Sequence, residues 1–435
     1  MRIIHTSDWH LGQNFYGKSR AKEHQQFLKW LLKQVKTHSV DCVIVAGDIF
    51  DTGTPPSYAR EMYFDFVVSI HQLNCQLVVL AGNHDSVAML AESKKLLKNL
   101  STTVIPNAQS IDSHTSSALD EQVFYLTDHL GKAQAVICAI PFIRPRDILK
   151  SQAGQSANDK NQSLQQAIKD HYQGLFKHAQ RLASKAGEKV LPIIATGHLT
   201  TVGVTLSESV RDIYIGTLEA FPANAFPDAD YIALGHIHRS QKIAKTEHIR
   251  YCGSPIPLSF DETTQTKKVL MVDFNHNKLE KVTELEIPSF QAIMMIKTRL
   301  NDLVDTVVEH IKQFELPVIA ETAQSSEVNN TPEDKQKIWL DIEIESSDYL
   351  QDLQNRITQL ISDLPVEILL VRRSKKSRSV MPNNQKKITL NELTLTDVFN
   401  TRLNQESWQT EEELARKSRL MVLFQQAVCD VEGQS

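Results

Sequence analysis

Five short apolar runs punctuate the first 255 residues: IIHTSDWH, VIVAGDIFD, LVVLAGNHD, PIIATGHL and IALGHIH. Each has a Val/Ile/Leu-rich body, the pattern of a strand covered on both faces. Between them lie amphipathic segments such as EHQQFLKWLLKQVKTH and PSYAREMYFDFVVSIHQL. In the second, Tyr58, Met62, Phe66 and Ile70 fall along one face at helical spacing. Strands alternating with helices predict an α/β core over residues 1–275. The polar stretch 151–165 reads as a surface loop, and 167–187 as a helix leading into the fourth run.

Near residue 280 the pattern changes. FQAIMMIKT, KIWLDIEIE and VEILLVRR read as strands, NDLVDTVVEHIKQF and DYLQDLQNRITQLISDL as helices. The order β-α-β-α-β predicts a small α+β module over 280–371, with ETAQSSEVNNTPEDKQ as a polar loop inside it. RRSKKSRSVMPNNQKK then reads as a basic linker over 372–388 that offers a strip for phosphate contacts. Helices follow over 389–430, and in the last one Leu414, Leu420, Leu423 and Phe424 form a partly apolar face. Such a face must be buried, against its own chain or in a partner's groove.

No apolar run approaches the roughly 18–20 residues of a membrane span. MRIIHTSDWH enters a strand directly, so no signal peptide is expected. Cys42, Cys75, Cys138, Cys252 and Cys429 are odd in number, widely spaced and mostly in apolar runs. They read as reduced, buried thiols of a cytoplasmic protein.

The apolar runs matter for what stands at their carboxyl ends: Asp8, His10, Asp48, Asn83, His84, His198, His236 and His238. In open α/β sheets, ligands bind at those ends. The donors are oxygen and nitrogen without thiolate, which suits Mn²⁺, Fe²⁺ or Zn²⁺. Seven donors, leaving His84 aside, are too many for one ion and suit two that share a carboxylate. Asp48 is the natural bridge, having two oxygens. Two such ions, roughly 3.5–4 Å apart, clamp the attacking and leaving oxygens of a displacement at phosphorus. His84 directly follows a donor and is placed to face the substrate, steadying phosphate or protonating a leaving oxygen. The glycines before Asp48, Asn83, His198 and His236 let the backbone turn sharply and come close to the ions. Each fragment alone is an ordinary turn or strand end; their order together points to a site.

The formal net charge of −5 argues against a strongly basic nucleic-acid binder. Bound cations, however, add local positive charge that this sum omits. The chain has no G-x-x-x-x-G-K-[ST] pattern, so any dependence on ATP must come from a partner.

The succession D-x-H, GD, GN-H-D, GH, GH-x-H resembles the calcineurin-like metallophosphoesterases. Within that superfamily, IIHTSDWHLGQNFYGKSR, VAGDIFDTGTPPSYAR, AGNHDSVAML, GHLTTVG and ALGHIHRSQKI with YCGSPIPLSF are similar to the SbcD-type nuclease subunits. The resemblance implies a β-sandwich core flanked by helices, an α+β capping domain beside the cleft, and C-terminal helices that bind a coiled-coil ATPase subunit, SbcC. It implies a homodimer formed through helices such as that near 56–73. It further implies metal-dependent hydrolysis of DNA in repair, recombination and replication, with two divalent ions, Mn²⁺ foremost. One ion would be held by Asp8, His10, Asp48 and His238, the other by Asp48, Asn83, His198 and His236, with His84 a catalytic group that is not a ligand. Asp51 stands where some archaeal relatives carry a histidine, and either orients His84 through a hydrogen bond or caps the next segment. LSESVRDIYIGTLEAFPANAF resembles a substrate-side loop, with Arg211 as a phosphate contact. A protein phosphatase or small-molecule phosphodiesterase on the same fold is the competing reading. Thr52 stands where such phosphatases carry arginine, and a free phosphodiesterase has no need of residues 280–435. A scaffold that had abandoned catalysis would tolerate lost ligands, and none is lost.

Overall fold

A computed structural model describes residues 1–109, 116–128, 130–149, 157–186, 190–210, 220–313, 337–345 and 352–374, with scattered positions between 399 and 424. Two six-stranded sheets form the core. The first has the strand order Lys278–Glu286, Lys268–Asn275, Arg2–Thr6, Cys42–Ala46, Gln76–Leu80 and Thr102–Ile105. Its last four strands run parallel, in registers such as Ile4 opposite Val43 and Val43 opposite Leu77. The second has the order Gln241–Lys242, Ile249–Tyr251, Tyr231–Gly235, Ile193–His198, Ala133–Cys138 and Val123–Thr127.

Alternation along each strand explains why the runs are apolar throughout. Ile3, Ile44, Val78 and Leu80 face Ile137, Ile194 and Ala233 between the two sheets. Their neighbours Ile4, Val43, Val45 and Val79 turn outward against Phe27, Leu31, Phe66 and Ile70 of the covering helices Ala21–His38 and Ser57–Gln72. The outer face of the second sheet packs Val136, Ala195 and Ile232 against Ile168, Tyr172 and Leu175. The fold is the expected α/β sandwich flanked by helices.

Three details differ from the sequence reading. The helix before the fourth run spans Ala157–Lys185 and begins inside the stretch read as loop. Leu164 and Ile168 already belong to its buried stripe, so the apolar period starts earlier than its polar surroundings suggest. The strand Lys278–Glu286 pairs with Lys268–Asn275 in the first sheet, through eight residue pairs with a shift of register after Asp273, rather than opening the next module. It alternates exposed and half-buried positions as an edge strand, which hid its membership. Arg372 stands inside the strand Val366–Arg373, bonded to the buried Asp341, and not in the basic linker.

A third sheet, Ile293–Thr298, Ile338–Ile344 and Val366–Arg373, is parallel throughout and carries the helices Leu303–Gln313 and Leu353–Leu360. This is the β-α-β-α-β order read from the sequence. Trp339 stacks on Phe15 with ring centres 5.9 Å apart, and the Arg20 guanidinium lies 4.8 Å from the Phe15 centre. Residues 375–435 form a separate unit, in which the rings of Phe399 and Phe424 stack at 3.9 Å. Arg211, the polar insertion ETAQSSEVNNTPEDKQ, residues 375–388 and Leu414 lie outside the described residues. Among the described residues, no helix is long and apolar enough to cross a membrane.

Three histidines are buried outside the clusters of metal-ligand groups. Burial lowers His5 and His24 to about 3 and His171 to about 4. Their folded values lie below the unfolded value of about 6.5. The unfolded chain therefore takes up protons first, and stability should fall as pH drops from about 6.5 towards 4, by about 1.4 kcal/mol per pH unit for each group. Urea midpoints at pH 7.5, 6.0 and 5.0 test this. His171→Leu should flatten the dependence by about one proton; an unchanged slope contradicts the assignment.

Candidate metal centre

The loops after the first two parallel strands run side by side. Asp8 N–H donates to Gly47 O at 3.0 Å, His10 N–H to Asp48 O at 3.0 Å, and Leu11 N–H to Ile49 O at 2.9 Å. This ladder beyond the sheet sets Asp8 and His10 beside Asp48. Asp8, His10 and Asp48 all adopt left-handed backbone, with φ of 54, 48 and 51°, and His236 has φ 94°. Non-glycine residues hold such values at about 1 kcal/mol or more each, and such strain concentrates at functional sites.

Glycine is required at two points where the backbone comes close to the site's side chains. Gly47 has φ 97°, and a Cβ there would stand 2.1 Å from His198 Nδ1. A Cβ on Gly82 would stand 2.1 Å from Asp48 Oδ1. At Gly82 the requirement is space rather than backbone conformation.

All eight candidate residues from the strand ends converge. Asp8, His10 and His238 form one compact group of donor atoms; Asp48, His198 and His236 form another. Asn83 joins the second, its Oδ1 2.9 Å from His198 Nε2 and 3.1 Å from His236 Nδ1. Asp48 stands between the groups: Oδ2 is 3.6 Å from His10 Nε2 and 3.2 Å from His198 Nε2, while Oδ1 accepts from His84 N–H at 2.9 Å. His84 also falls within reach of His10 and Asp48, with its ring edge-on to His10 at 4.8 Å.

The electrostatics follow from this crowding. Burial works against charge on Asp48, yet His198, His10 and His84 hold its carboxyl well below the usual range. Burial also opposes charge on His198, but Asp48 raises it to about 9. His10 is raised against the same penalty by Asp51, Asp48 and Asp8. Burial and the neighbouring His198 push His236 well down. The fit to a cation rests on observed atoms: His10 Nε2 and His236 Nε2 are buried without any hydrogen-bond partner. Uncharged imidazole nitrogens aimed among carboxylates are the donors a divalent ion takes.

The surrounding contacts refine one expectation and add four residues. Asp51 does hold His84 through a hydrogen bond, and the atom that does so is in its main chain. Its main-chain carbonyl accepts from His84 Nδ1 at 2.7 Å, and its carboxylate lies 3.2 Å from His10 Nδ1. Asp85 accepts from the N–H groups of Ile49, Phe50 and Gly82 at 3.2, 3.0 and 2.8 Å, tying the Asp48 loop to the Asn83–His84 turn. Burial and the nearby Asp48 raise its carboxyl to about 6. Arg144 braces the same turn, Nη2 donating to Asp85 O at 3.0 Å and Gly82 O at 3.4 Å. Ser209 Oγ lies 2.5 Å from His238 Nδ1 and donates to Glu262. Asp85 stood inside a recognised motif and Ser209 inside the stretch read as a substrate-side loop; Arg144 and Glu262 carry no local signal.

The comparisons with known proteins agree with this geometry. The family model described as calcineurin-like phosphoesterase matches residues 1–240, and one described as type 5 capsule protein repressor C-terminal domain matches 289–407. The chain is 50% identical over 434 residues to the D subunit of nuclease SbcCD from Escherichia coli (strain K12), covering 100% of this chain and 99% of that one. It is 33% identical to the protein of the same name from Rhodobacter capsulatus, covering 63% of this chain and 66% of that one. The chain therefore belongs to the calcineurin-like phosphoesterases, and within them to the D subunits of SbcCD nucleases: it is a metal-dependent nuclease, a hydrolase of phosphodiester bonds.

Proposed function

We propose that the chain cuts DNA, acting as exonuclease on duplex ends and endonuclease on single strands and hairpins, with two Mn²⁺ ions at the strand-end cluster. The observation that carries the two-ion reading is Asp48 Oδ2, within 3.6 Å of a histidine from each donor group. Asp8, His10, Asp48 and His238 would hold one ion; Asp48, Asn83, His198 and His236 the other. Bound there, the ions would supply hydroxide near neutral pH and a clamp on the phosphate oxygens.

The protein's own groups do the rest. Asp51 O accepts a hydrogen bond from His84 Nδ1–H, so proton exchange with a leaving oxygen falls to Nε2. His84 is half-buried while the other histidines of the site are buried, which suits a group that meets substrate. Asp51 serves His10, holding Nδ1 so that Nε2 turns to the cation.

The nuclease domain is proposed to extend through Glu286, with a capping domain over about 292–374 and a partner-binding region beyond it. An SbcC-type ATPase is the proposed partner: the matched relatives are named as subunits of SbcCD, and the chain follows one of them over its whole length. The cysteines at 42, 75, 138 and 252 are buried and unpaired, which suits a reducing cytoplasm.

Homodimerisation is proposed through the exposed face of the Ser57–Gln72 helix. Phe66 and Ile70 are 2% and 0% exposed and sit in the chain's own core, Phe66 edge-on to Trp9 at 5.2 Å. A charge at Phe66 would unfold the domain rather than report on dimers. Phe64 and Val68 are 40% and 44% exposed, and Phe64 borders a cavity of about 310 Å³ with Met89 and Leu96.

Purified chain with Mn²⁺ on linear duplex, single-stranded and hairpin DNA tests the function. Asp48→Ala should lose metal and activity together, whereas His84→Gln should keep metal in calorimetry and lose about 100-fold or more in hydrolysis. A His84→Gln protein that binds no metal contradicts the assignment. For the dimer, light scattering at micromolar concentration should give twice the chain mass, and Phe64→Glu should halve it without loss of metal binding. A monomeric unsubstituted chain rules the dimer out.

A further inference from the structure

Beneath His238 lies a buried ion pair that the reaction does not use. Glu262 is 0% exposed and Lys267 8%. Lys267 Nζ donates to Glu262 Oε2 at 2.6 Å, to Ser254 Oγ at 2.9 Å and to His238 O at 3.1 Å. Glu262 Oε2 also accepts from Leu258 N–H at 3.1 Å, and Oε1 accepts from Ser259 at 3.2 Å and from Ser209. Ser209 Oγ in turn lies 2.5 Å from His238 Nδ1, with Ser207 Oγ 3.1 Å away. One ion pair thus holds both ends of a single residue: the main-chain carbonyl of His238 through Lys267, and its ring through Glu262 and Ser209.

Donor counting fixes what this does to the ring. A carboxylate salt-bridged to an ammonium offers acceptors only, so the Ser209 hydroxyl proton points at Glu262. The Ser209 oxygen then has lone pairs, and no further proton, for His238. Nδ1 must therefore carry the proton, and the bare lone pair sits on Nε2. Because Glu262 and Lys267 neutralise each other, the acceptor reaches Ser209 without adding net charge beside Asp8. Energetics point the same way. Removing two charges from water is costly, and an apolar replacement of a buried pair is often neutral or stabilising. Stability alone gives little reason for this pair.

The two donor groups differ in this respect. In the group with Asp8, both histidines are backed by carboxylates: His10 by Asp51 at 3.2 Å and His238 by Glu262 through Ser209. In the other, His198 Nδ1 faces the neutral carbonyl of Ala46 at 2.9 Å, and His236 Nδ1 lies 3.1 Å from Asn83. Carboxylate backing fixes the tautomer and strengthens an imidazole as a ligand.

We propose that Ser209 and Glu262, locked by Lys267, are positioning residues for His238, and that they set the affinity of the Asp8/His10/His238 position alone. The inference rests on the two-ion reading.

Calorimetry and electron paramagnetic resonance of the full chain titrated with Mn²⁺ separate the two. The unsubstituted chain should show two binding steps and the spectrum of a coupled pair. Ser209→Ala and Glu262→Gln should each weaken one step by about 10–100-fold, leave the other within about 3-fold, and give the spectrum of an isolated Mn²⁺ at intermediate loading. Ser209→Thr, which keeps the hydroxyl, should restore both steps. Ser209 is half-buried, so its alanine variant tests the idea even if Glu262→Gln does not fold. An unsubstituted chain that binds a single Mn²⁺ overturns the two-ion reading and this inference with it. Two steps in the unsubstituted chain that Ser209→Ala leaves unchanged, or weakens equally, overturn the inference alone.

Discussion

A carboxylate with 1% of its surface exposed can remain charged only if cations or donors surround it, and the site is arranged around that requirement at Asp48. Its Oδ1 takes the His84 amide; its Oδ2 faces His10 on one side and His198 on the other. Those two imidazoles come from strand ends in different sheets, 188 positions apart in the chain. Asp48 therefore needs the sandwich to be closed before it can be satisfied. The left-handed backbone at Asp8, His10 and Asp48, the absence of a side chain at Gly47 and Gly82, and the three amides gathered by Asp85 all serve to keep that carboxylate between its neighbours.

What the sequence disclosed follows from how far each signal reaches. Strands buried on both faces are apolar throughout, so the five runs and the residues ending them were legible, and all eight polar residues meet. The glycine roles were half legible: a GD pair suggests a turn, but only the packed structure shows that Gly82 is needed for room. That Asp51 holds His84 was legible, but not the atom that does so, because a backbone carbonyl is invisible in a sequence. Every residue has one, and here Asp51's own carbonyl, not its carboxylate, holds His84.

Edge and surface elements were less legible for a related reason. The Lys278–Glu286 strand buries little, so its composition resembles a linker, and only its register against Lys268–Asn275 reveals that the first sheet continues. In the first turns of Ala157–Lys185, Asp159 and Gln162 are polar and exposed. At Ser57–Gln72 the limit is of another kind. A period of apolar residues identifies the helix, but cannot say that Phe66 is spent on Trp9 while Phe64 is left outside. Arg144 and Glu262 reach the site from far along the chain, and nothing in their own neighbourhoods marks them; Ser209 lies in the stretch read as a substrate-side loop, where the sequence pointed to Arg211 instead.

These parts make one physical claim: the fold holds Asp48 so that a single carboxylate is shared by two cations. A crystal structure of the Mn²⁺-soaked chain, with anomalous scattering recorded at the manganese edge, tests it most directly. The account predicts two anomalous peaks roughly 3.5–4 Å apart, one among Asp8, His10 and His238, the other among Asn83, His198 and His236, with Asp48 in contact with both and His84 with neither. A single peak, or two peaks of which Asp48 touches only one, would contradict it.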